Sequence, residues 1–270
     1  MDLLQAFLLG LLQGITEFLP VSSSGHLALG RALLGTELAP GITFEIVVHF
    51  GSFCSIAVYY RKMIGEILSD LFRNLNLSAI QSGEFSKNKN VLLSGYILIS
   101  MIPAGIVGFT LKEQIEEIFM NPLLVSVLLL VTGLLLFLTR FIKNLTQNNN
   151  VWKSLLIGFA QAFAILPGIS RSGSTISTAL FLKINRENAA NFSFLMVLPV
   201  LAGAMLKEML DLYEVGVITG ALPLTVGFFT SFISGYLALT YLIILLKKDK
   251  FHVFAYYCWI VGISGIIYFM

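Results

Sequence analysis

The sequence predicts an all-α integral membrane protein with about six transmembrane helices and two re-entrant helix–break–helix units, arranged as an inverted-topology repeat. Three observations predict it. Hydrophobic residues make up 57% of the 270 positions and charged residues only 12%, about half the charged fraction of a soluble domain. The apolar residues form runs long enough to cross a bilayer. Two serine-rich breaks interrupt these runs at corresponding places in the two halves of the chain.

The first break follows an apolar run and reads QGITEFLPVSSSGH over residues 13–26. Gln13 and Glu17 are spaced i, i+4, which places them on one face of a helix, and Pro20 ends that helix. A hydroxyl-rich, unwound stretch is tolerated in a bilayer only where it is buried in protein or lines a wet cavity. The ionisable groups Glu17 and His26 within it indicate a functional site.

The second break repeats the first 148 positions later and reads QAFAILPGISRSGST over residues 161–175. This shift aligns Gln13 with Gln161 and places Arg171 opposite Ser23. The second break lacks the glutamate and the histidine of the first and contains an arginine instead. We therefore interpret the two breaks as complementary halves of one site.

Helix lengths indicate which segments cross the membrane. Residues 3–19 reach about 25 Å as a helix, but residues 27–34 reach only about 12 Å, too short for a hydrocarbon core of roughly 30 Å. Residues 1–34 are therefore predicted to be re-entrant, as are residues 152–166 with 175–182. The predicted spans are 44–60, 91–111 and 123–141 in a first repeat (1–150), and 188–206, 221–246 and 251–269 in a second (151–270).

Charge gives an independent prediction of orientation. If the polar connection 61–90 is cytoplasmic, most of the 17 lysines and arginines lie on the cytoplasmic side, as the positive-inside rule requires. An odd number of spans in each repeat inverts the second repeat relative to the first. The first re-entrant unit then enters from outside and the second from inside, so their breaks can meet.

Other features restrict the function. Cys54 and Cys258 are isolated in apolar runs and are interpreted as core residues. Neither a basic patch for nucleic acid nor a cleavable signal peptide is recognisable. Glu45 and His49, spaced i, i+4, could be a packed hydrogen bond or a catalytic pair, and His252 is interpreted as an interfacial residue.

The residue types at the breaks favour phosphate chemistry. Hydroxyls, helix-terminal N–H groups and Arg171 suit an anion, while Glu17 and His26 can handle protons or bind a metal. An anion site facing an acid–base site is suited to phosphoryl transfer. The sequence thus predicts a membrane enzyme or transporter that handles phosphate.

At these residues the chain resembles the undecaprenyl-diphosphate phosphatase family of bacteria, which is associated with bacitracin resistance. The first family motif has Glu or Gln at the position of Gln13 and Glu at that of Glu17. The second, Pro-Gly-x-Ser-Arg-Ser-Gly-x-Thr, is matched throughout residues 167–175. The resemblance covers the whole chain.

The resemblance implies an enzyme of the bacterial inner membrane that removes one phosphate from undecaprenyl diphosphate and so recycles the lipid carrier of cell-wall synthesis. It also implies a divalent cation, Mg²⁺ or Ca²⁺, with Glu17 as a candidate ligand. The expected partners are the polyprenyl diphosphate and membrane lipids. The sequence carries no signal for an oligomeric state, and the site is expected to open to the outer face.

Each candidate residue receives a hypothetical role. Ser23 is the predicted nucleophile, and His26 acts as base and then acid, or is itself phosphorylated. Glu17 orients His26 or binds the cation, and Arg171 stabilises the transferring phosphoryl group, unless it is only a structural counter-ion of Glu17. The predicted diphosphate-binding residues are Gln13, Ser22, Ser24, Ser170, Ser172, Gly173, Ser174 and Thr175.

Two alternatives remain. A lipid-phosphate flippase or transporter could use the same inverted repeat. An ion channel is disfavoured, because the sequence contains neither a ring of like charges nor a repeated filter motif.

The orientation is directly testable. Reporters fused after Lys87 and after Lys248 should show a cytoplasmic location, and one fused after Glu116 should show a location outside the membrane. The reason is that the positive-inside rule places the basic ends in the cytoplasm. A Lys87 fusion that reads outside would reverse the topology.

Overall fold

The computed structural model describes residues 1–34, 42–74, 88–146, 148–215 and 220–270. These residues form α-helices with short connections and no β-strand. The predicted fold class, an all-α membrane protein, is confirmed. Lys87, used above to define the orientation, lies outside the described residues.

Among the described residues, seven α-helices lie in the first half and five in the second. The first half contains α1 (Leu3–Phe18), α2 (Ser23–Leu34), α3 (Ile42–Tyr59), α4 (Arg61–Asn74), α5 (Lys89–Thr110), α6 (Lys112–Phe119) and α7 (Pro122–Leu138). The second half contains α8 (Val151–Phe163), α9 (Arg171–Phe181), α10 (Arg186–Val215), α11 (Ala221–Lys247) and α12 (Phe254–Phe269). Short 3₁₀ turns, Thr139–Phe141 and Phe251–Val253, extend α7 and precede α12.

Several helices begin at polar caps that the sequence contains. Asp2 caps α1 in a capping box with Gln5. Asn88, Asn121 and Asn150 accept hydrogen bonds from N–H groups in the first turns of α5, α7 and α8. Such caps satisfy N–H groups that have no partner within the helix.

In the part of the chain that the structure describes, four helices have the length and hydropathy of a membrane span. They are α5, α7 with its 3₁₀ turn, α11, and α12 with the turn before it. The predicted span 44–60 forms α3, which joins α4 at a bend of 75°. The remaining predicted span, residues 188–206, lies within the 30-residue helix α10. That this helix crosses the membrane remains a prediction.

Two predicted connections contain helices. The expected polar connection after residue 60 begins with α4, and the expected turn 112–121 contains α6. Both helices are amphipathic: Ile67 of α4 and Ile115 of α6 are buried, and Lys112 pairs with Glu116 one turn away at 3.6 Å. A few apolar residues at helical spacing are enough for these segments to form amphipathic helices, although their composition is mostly polar.

The long arm of each re-entrant unit packs on a helix of the other half. α1 lies along α11, and α8 lies along α5. Gly10 and Gly158, equivalent under the shift of 148, allow these approaches: a Cβ would lie 2.6 Å from the carbonyl oxygen of Gly227 at the first and 2.9 Å from the Cα of Ser100 at the second. The short arms α2 and α9 both contact α7. Because each long arm packs on the opposite half, the two breaks come together. The boundaries of the two repeats stay a prediction.

Candidate active site at the two helix breaks

The first break is shorter than predicted. It comprises residues 19–22, because α2 begins at Ser23 rather than near Leu27. Pro20 cannot continue α1, and Ser22 has a left-handed φ of 67°. The Oγ of Ser22 accepts the N–H of Gly25 at 3.2 Å, which caps α2.

The second break is likewise closed by a serine cap. α9 begins at Arg171 rather than at Thr175, because Ser170 accepts the N–H of Gly173 at 3.1 Å. Gly168 has a φ of +95°, which a residue without a Cβ adopts at no steric cost. Thr132 of α7 holds this turn: its hydroxyl donates to the Gly168 carbonyl at 2.7 Å and accepts the N–H of Ser170 at 3.0 Å.

Hydrogen bonds join the two breaks directly. The N–H of Gly168 donates to Ser22 Oγ at 3.1 Å, and Ser172 Oγ donates to the Phe18 carbonyl at 3.1 Å. A Cβ on Gly25 would lie 2.9 Å from the Cα of Gly168. The expected meeting of the two breaks is therefore present in the structure.

Glu17 lies at the centre of the junction. One carboxylate oxygen, Oε1, pairs with Nη2 of Arg171 from the opposite break. The other, Oε2, accepts Gln13 Nε2 at 3.1 Å and Ser23 Oγ at 3.0 Å. The Glu17 side chain is only 7% exposed and that of Arg171 25%, so the ion pair lies at the edge of the protein interior.

His26 has different partners from those expected. Its Nδ1 lies 2.8 Å from the carbonyl oxygen of Ser22, and its Nε2 lies 2.9 Å from the hydroxyl of Tyr257 in α12. Both ring nitrogens are therefore engaged, whereas Ser23 donates to Glu17. The structure thus replaces the expected Ser23–His26 contact with Ser23–Glu17, and Glu17 does not orient His26.

The predicted diphosphate-binding residues divide into two groups. Gln13 and Ser24 are partly exposed: Gln13 donates to Glu17, and Ser24 Oγ lies 3.3 Å from Ser22 Oγ. The others are buried, and most of their hydroxyls bind protein groups: Ser22 and Ser172 join the breaks, Ser170 caps α9, and Thr175 donates to the Arg171 carbonyl at 2.8 Å. In the described part of the chain, the hydroxyl of buried Ser174 has no hydrogen-bond partner.

The other residues noted in the sequence lie in α3, in the turn before α12, and in α12 itself. His49 Nδ1 lies 2.8 Å from the Glu45 carbonyl oxygen within α3; this contact lies inside one helix, so an interhelical hydrogen bond and a catalytic pair both stay predictions. His252 lies in the 3₁₀ turn before α12. Cys258 is buried and donates to the Pro20 carbonyl at 3.6 Å, so this thiol helps hold the first break.

Comparison with known proteins identifies the family. The family model described as bacitracin resistance protein BacA matches residues 6–264. The chain belongs to the BacA family. It is 42% identical to an undecaprenyl-diphosphatase of Christiangramia forsetii over 99% of this chain and 98% of that protein. A Bacteroides fragilis undecaprenyl-diphosphatase is 43% identical over 99% and 98% of the two chains.

Two residues that contact the site in this BacA family member were not predicted. Thr132 and Tyr257 lie in the apolar helices α7 and α12, outside both motifs. Thr132 is one of two hydroxyl residues in the apolar run of α7, with Ser126, and that composition is the only signal that could have indicated it. Nothing in the local sequence distinguishes Tyr257 from the adjacent Tyr256.

The cross-break role of Ser22 predicts a stability defect. Ser22→Ala should lower the free energy of unfolding by about 2 kcal/mol or more, because it leaves the buried N–H groups of Gly25 and Gly168 without their acceptor. The midpoint of thermal unfolding in detergent should fall by roughly 4–8 °C. Ser94→Ala is the matched control, because that hydroxyl bonds only within α5, to the Asn90 carbonyl. An equal, small change in both variants would contradict the structural role of Ser22.

Proposed function

We propose that this chain is an undecaprenyl-diphosphate phosphatase that hydrolyses its substrate to undecaprenyl phosphate and inorganic phosphate. The activity would return the lipid carrier to cell-wall synthesis and counteract bacitracin. The names of the full-length relatives support this reaction over the lipid-phosphate flippase.

The main structural support for this reaction is that the Glu17 carboxylate binds the Ser23 hydroxyl and the Arg171 guanidinium at the same time. A hydroxyl bonded to a carboxylate has a proton acceptor in place. An adjacent guanidinium suits the oxygens of a phosphoryl group. The three groups come from both breaks, so the junction assembles a nucleophile, a base and a cation at one point.

The first step is attack of Ser23 Oγ on the terminal phosphorus. An O–P bond forms, the bond from that phosphorus to the bridging oxygen breaks, and undecaprenyl phosphate leaves. The hydroxyl proton passes to Glu17, its hydrogen-bond acceptor at 3.0 Å. Arg171 stabilises charge on the transferring group; because a guanidinium has five N–H donors, the Nη2 contact with Glu17 leaves others for phosphate oxygens.

The second step is hydrolysis of the phosphoserine: water attacks phosphorus, the bond from phosphorus to Ser23 Oγ breaks, and inorganic phosphate leaves. His26 takes the proton of the attacking water and passes it on to solvent, and Glu17 returns to Ser23 Oγ the proton that it took in the first step. His26 is the assigned acid–base group of this step, because its Nε2 lies on the exposed side with Tyr257. If His26 is instead the phosphorylated residue, the same Nε2 would be the attacking atom, since Nδ1 faces a carbonyl oxygen.

A divalent cation fits the site only together with the substrate. The described residues contain no group of three or more His, Cys, Asp or Glu side chains that could hold a metal. Mg²⁺ is commonly held by one or two carboxylates plus substrate phosphates. Glu17 would supply the protein ligand, and the ion would neutralise negative charge on the diphosphate.

The surroundings of the site suit a lipid substrate. Leu12 and Ile15, which flank Gln13 on α1, have exposed side chains. The prenyl tail would leave sideways over this apolar surface into the membrane lipids. By the charge-based orientation, the site opens to the outer face of the inner membrane.

Phosphate release tests the proposal. Purified protein in detergent, where transport cannot be scored, should release phosphate from a short-chain prenyl diphosphate. Ser23→Ala should abolish turnover but retain binding of the diphosphate lipid and thermal stability, while Ser94→Ala should behave as wild type. No release by the wild type would remove the phosphatase assignment, and an acid-labile phosphoenzyme on His26 would replace the serine mechanism.

Arg171→Lys separates catalysis from ion pairing. A lysine keeps the charge beside Glu17 but cannot form two parallel hydrogen bonds to phosphate oxygens. Arginines that stabilise a phosphoryl transition state are worth roughly 10³–10⁵ in rate, so we expect kcat/KM to fall by at least about 100-fold with normal folding. Arg186→Lys is the matched control, since Arg186 pairs with Asp249 away from the breaks. Near-normal turnover in Arg171→Lys would reduce Arg171 to a structural counter-ion.

A further inference from the structure

The hydrogen bonds of His26 define which ring nitrogen carries the proton. Nδ1 lies 2.8 Å from the Ser22 carbonyl oxygen, and a carbonyl only accepts, so Nδ1 is the protonated nitrogen. In the neutral ring, Nε2 then has the free electron pair. Its partner at 2.9 Å, the Tyr257 hydroxyl, is therefore the donor.

The contact connects distant parts of the chain. Tyr257 belongs to the last helix, 231 positions from His26. The next residue, Cys258, donates to the Pro20 carbonyl of the first break. Two consecutive residues of α12 therefore hold this region, one at the backbone of the break and one at His26 in the first turn of α2.

We propose that Tyr257 is a positioning residue for His26: its hydroxyl holds the imidazole so that Nε2 stays at the exposed edge of the site. The carbonyl of Ser22 determines the tautomer, while Tyr257 restrains rotation of the ring about that single contact. This inference rests on the proposed phosphatase activity, in which His26 serves the second step.

A tyrosine suits this position because a hydroxyl both donates and accepts. It donates to Nε2 when the imidazole is neutral and accepts from Nε2–H when the imidazole is protonated. The contact can therefore persist as His26 takes up and releases a proton. A carboxylate would act only as an acceptor and would favour the protonated ring.

The position of Tyr257 argues against a purely structural role. The residue is 45% exposed, and its ring lies nearly parallel to that of His26 with the centroids 5.5 Å apart, so both its hydroxyl and its ring contact the histidine. The neighbouring Tyr256 is equally exposed and instead packs its ring near Phe137 and Trp259. The two adjacent tyrosines thus provide an internal comparison, with only the second bonded to the site.

The test compares Tyr257→Phe with Tyr256→Phe, each of which removes one hydroxyl from the same turn of α12. Tyr257→Phe should lower kcat by about 10- to 100-fold, the range expected when a reacting group is misplaced, with KM within about twofold and thermal stability unchanged. Tyr256→Phe should retain wild-type kcat. Equal activity of Tyr257→Phe and wild type, or an equal loss in Tyr256→Phe, would overturn the proposal.

Nitrogen-15 NMR of histidine-labelled protein provides a readout that does not depend on activity. The chain has three histidines, so the His26 signals can be assigned by their loss in His26→Asn. In Tyr257→Phe the Nε2 resonance should move while Nδ1 stays protonated. An unmoved Nε2 resonance would overturn the contact itself. If the wild type released no phosphate, the NMR result would still stand, so failure of the function and failure of the contact are distinguishable.

Discussion

The buried carboxylate of Glu17 is the constraint on which the site depends. A carboxylate that is only 7% exposed is strongly disfavoured unless charge and hydrogen bonds compensate it. Glu17 obtains that compensation from Gln13 on its own helix, from Ser23 beyond the break, and from Arg171 in the other half of the chain. The two breaks can satisfy this group only when they meet. The requirement that makes the site chemically useful therefore also holds the two halves together.

The backbone at the junction restricts how the halves meet. Ser22 and Gly168 both have left-handed φ values, 67° and 95°, and the Gly168 N–H donates to the Ser22 hydroxyl. A left-handed φ costs the glycine nothing, but at Ser22 it is strained and persists only where the surroundings determine it closely. Several serines of the two motifs therefore serve as caps and cross-links, leaving Ser23, Gln13, Ser24 and Arg171 at the accessible side. A rigid support of this kind can hold a small number of reacting groups in a fixed geometry.

The structure corrects the sequence-based interpretation at identifiable points. The short arms α2 and α9 each begin four residues before the predicted start, because Ser22 and Ser170 cap helices that small residues then continue. Helices α4 and α6 were hidden by polar composition, although Ile67 and Ile115 bury an apolar face. The sequence-based interpretation paired Ser23 with His26 as nucleophile and base. In the fold, His26 turns to Ser22 and Tyr257 instead.

The sequence by itself determined the membrane class, the two breaks, and the complementarity of Glu17 and Arg171. Apolar runs in lipid must be helical, since backbone groups there have no water to bind. Buried charges of opposite sign in matched breaks require one another. Only the tertiary structure decided which hydroxyl faces the carboxylate, which serines are structural, and that Thr132 and Tyr257 reach the site. The last of these facts depends on contacts of α7 and α12 with the breaks and with His26. Contacts between residues so far apart in the chain leave no local pattern.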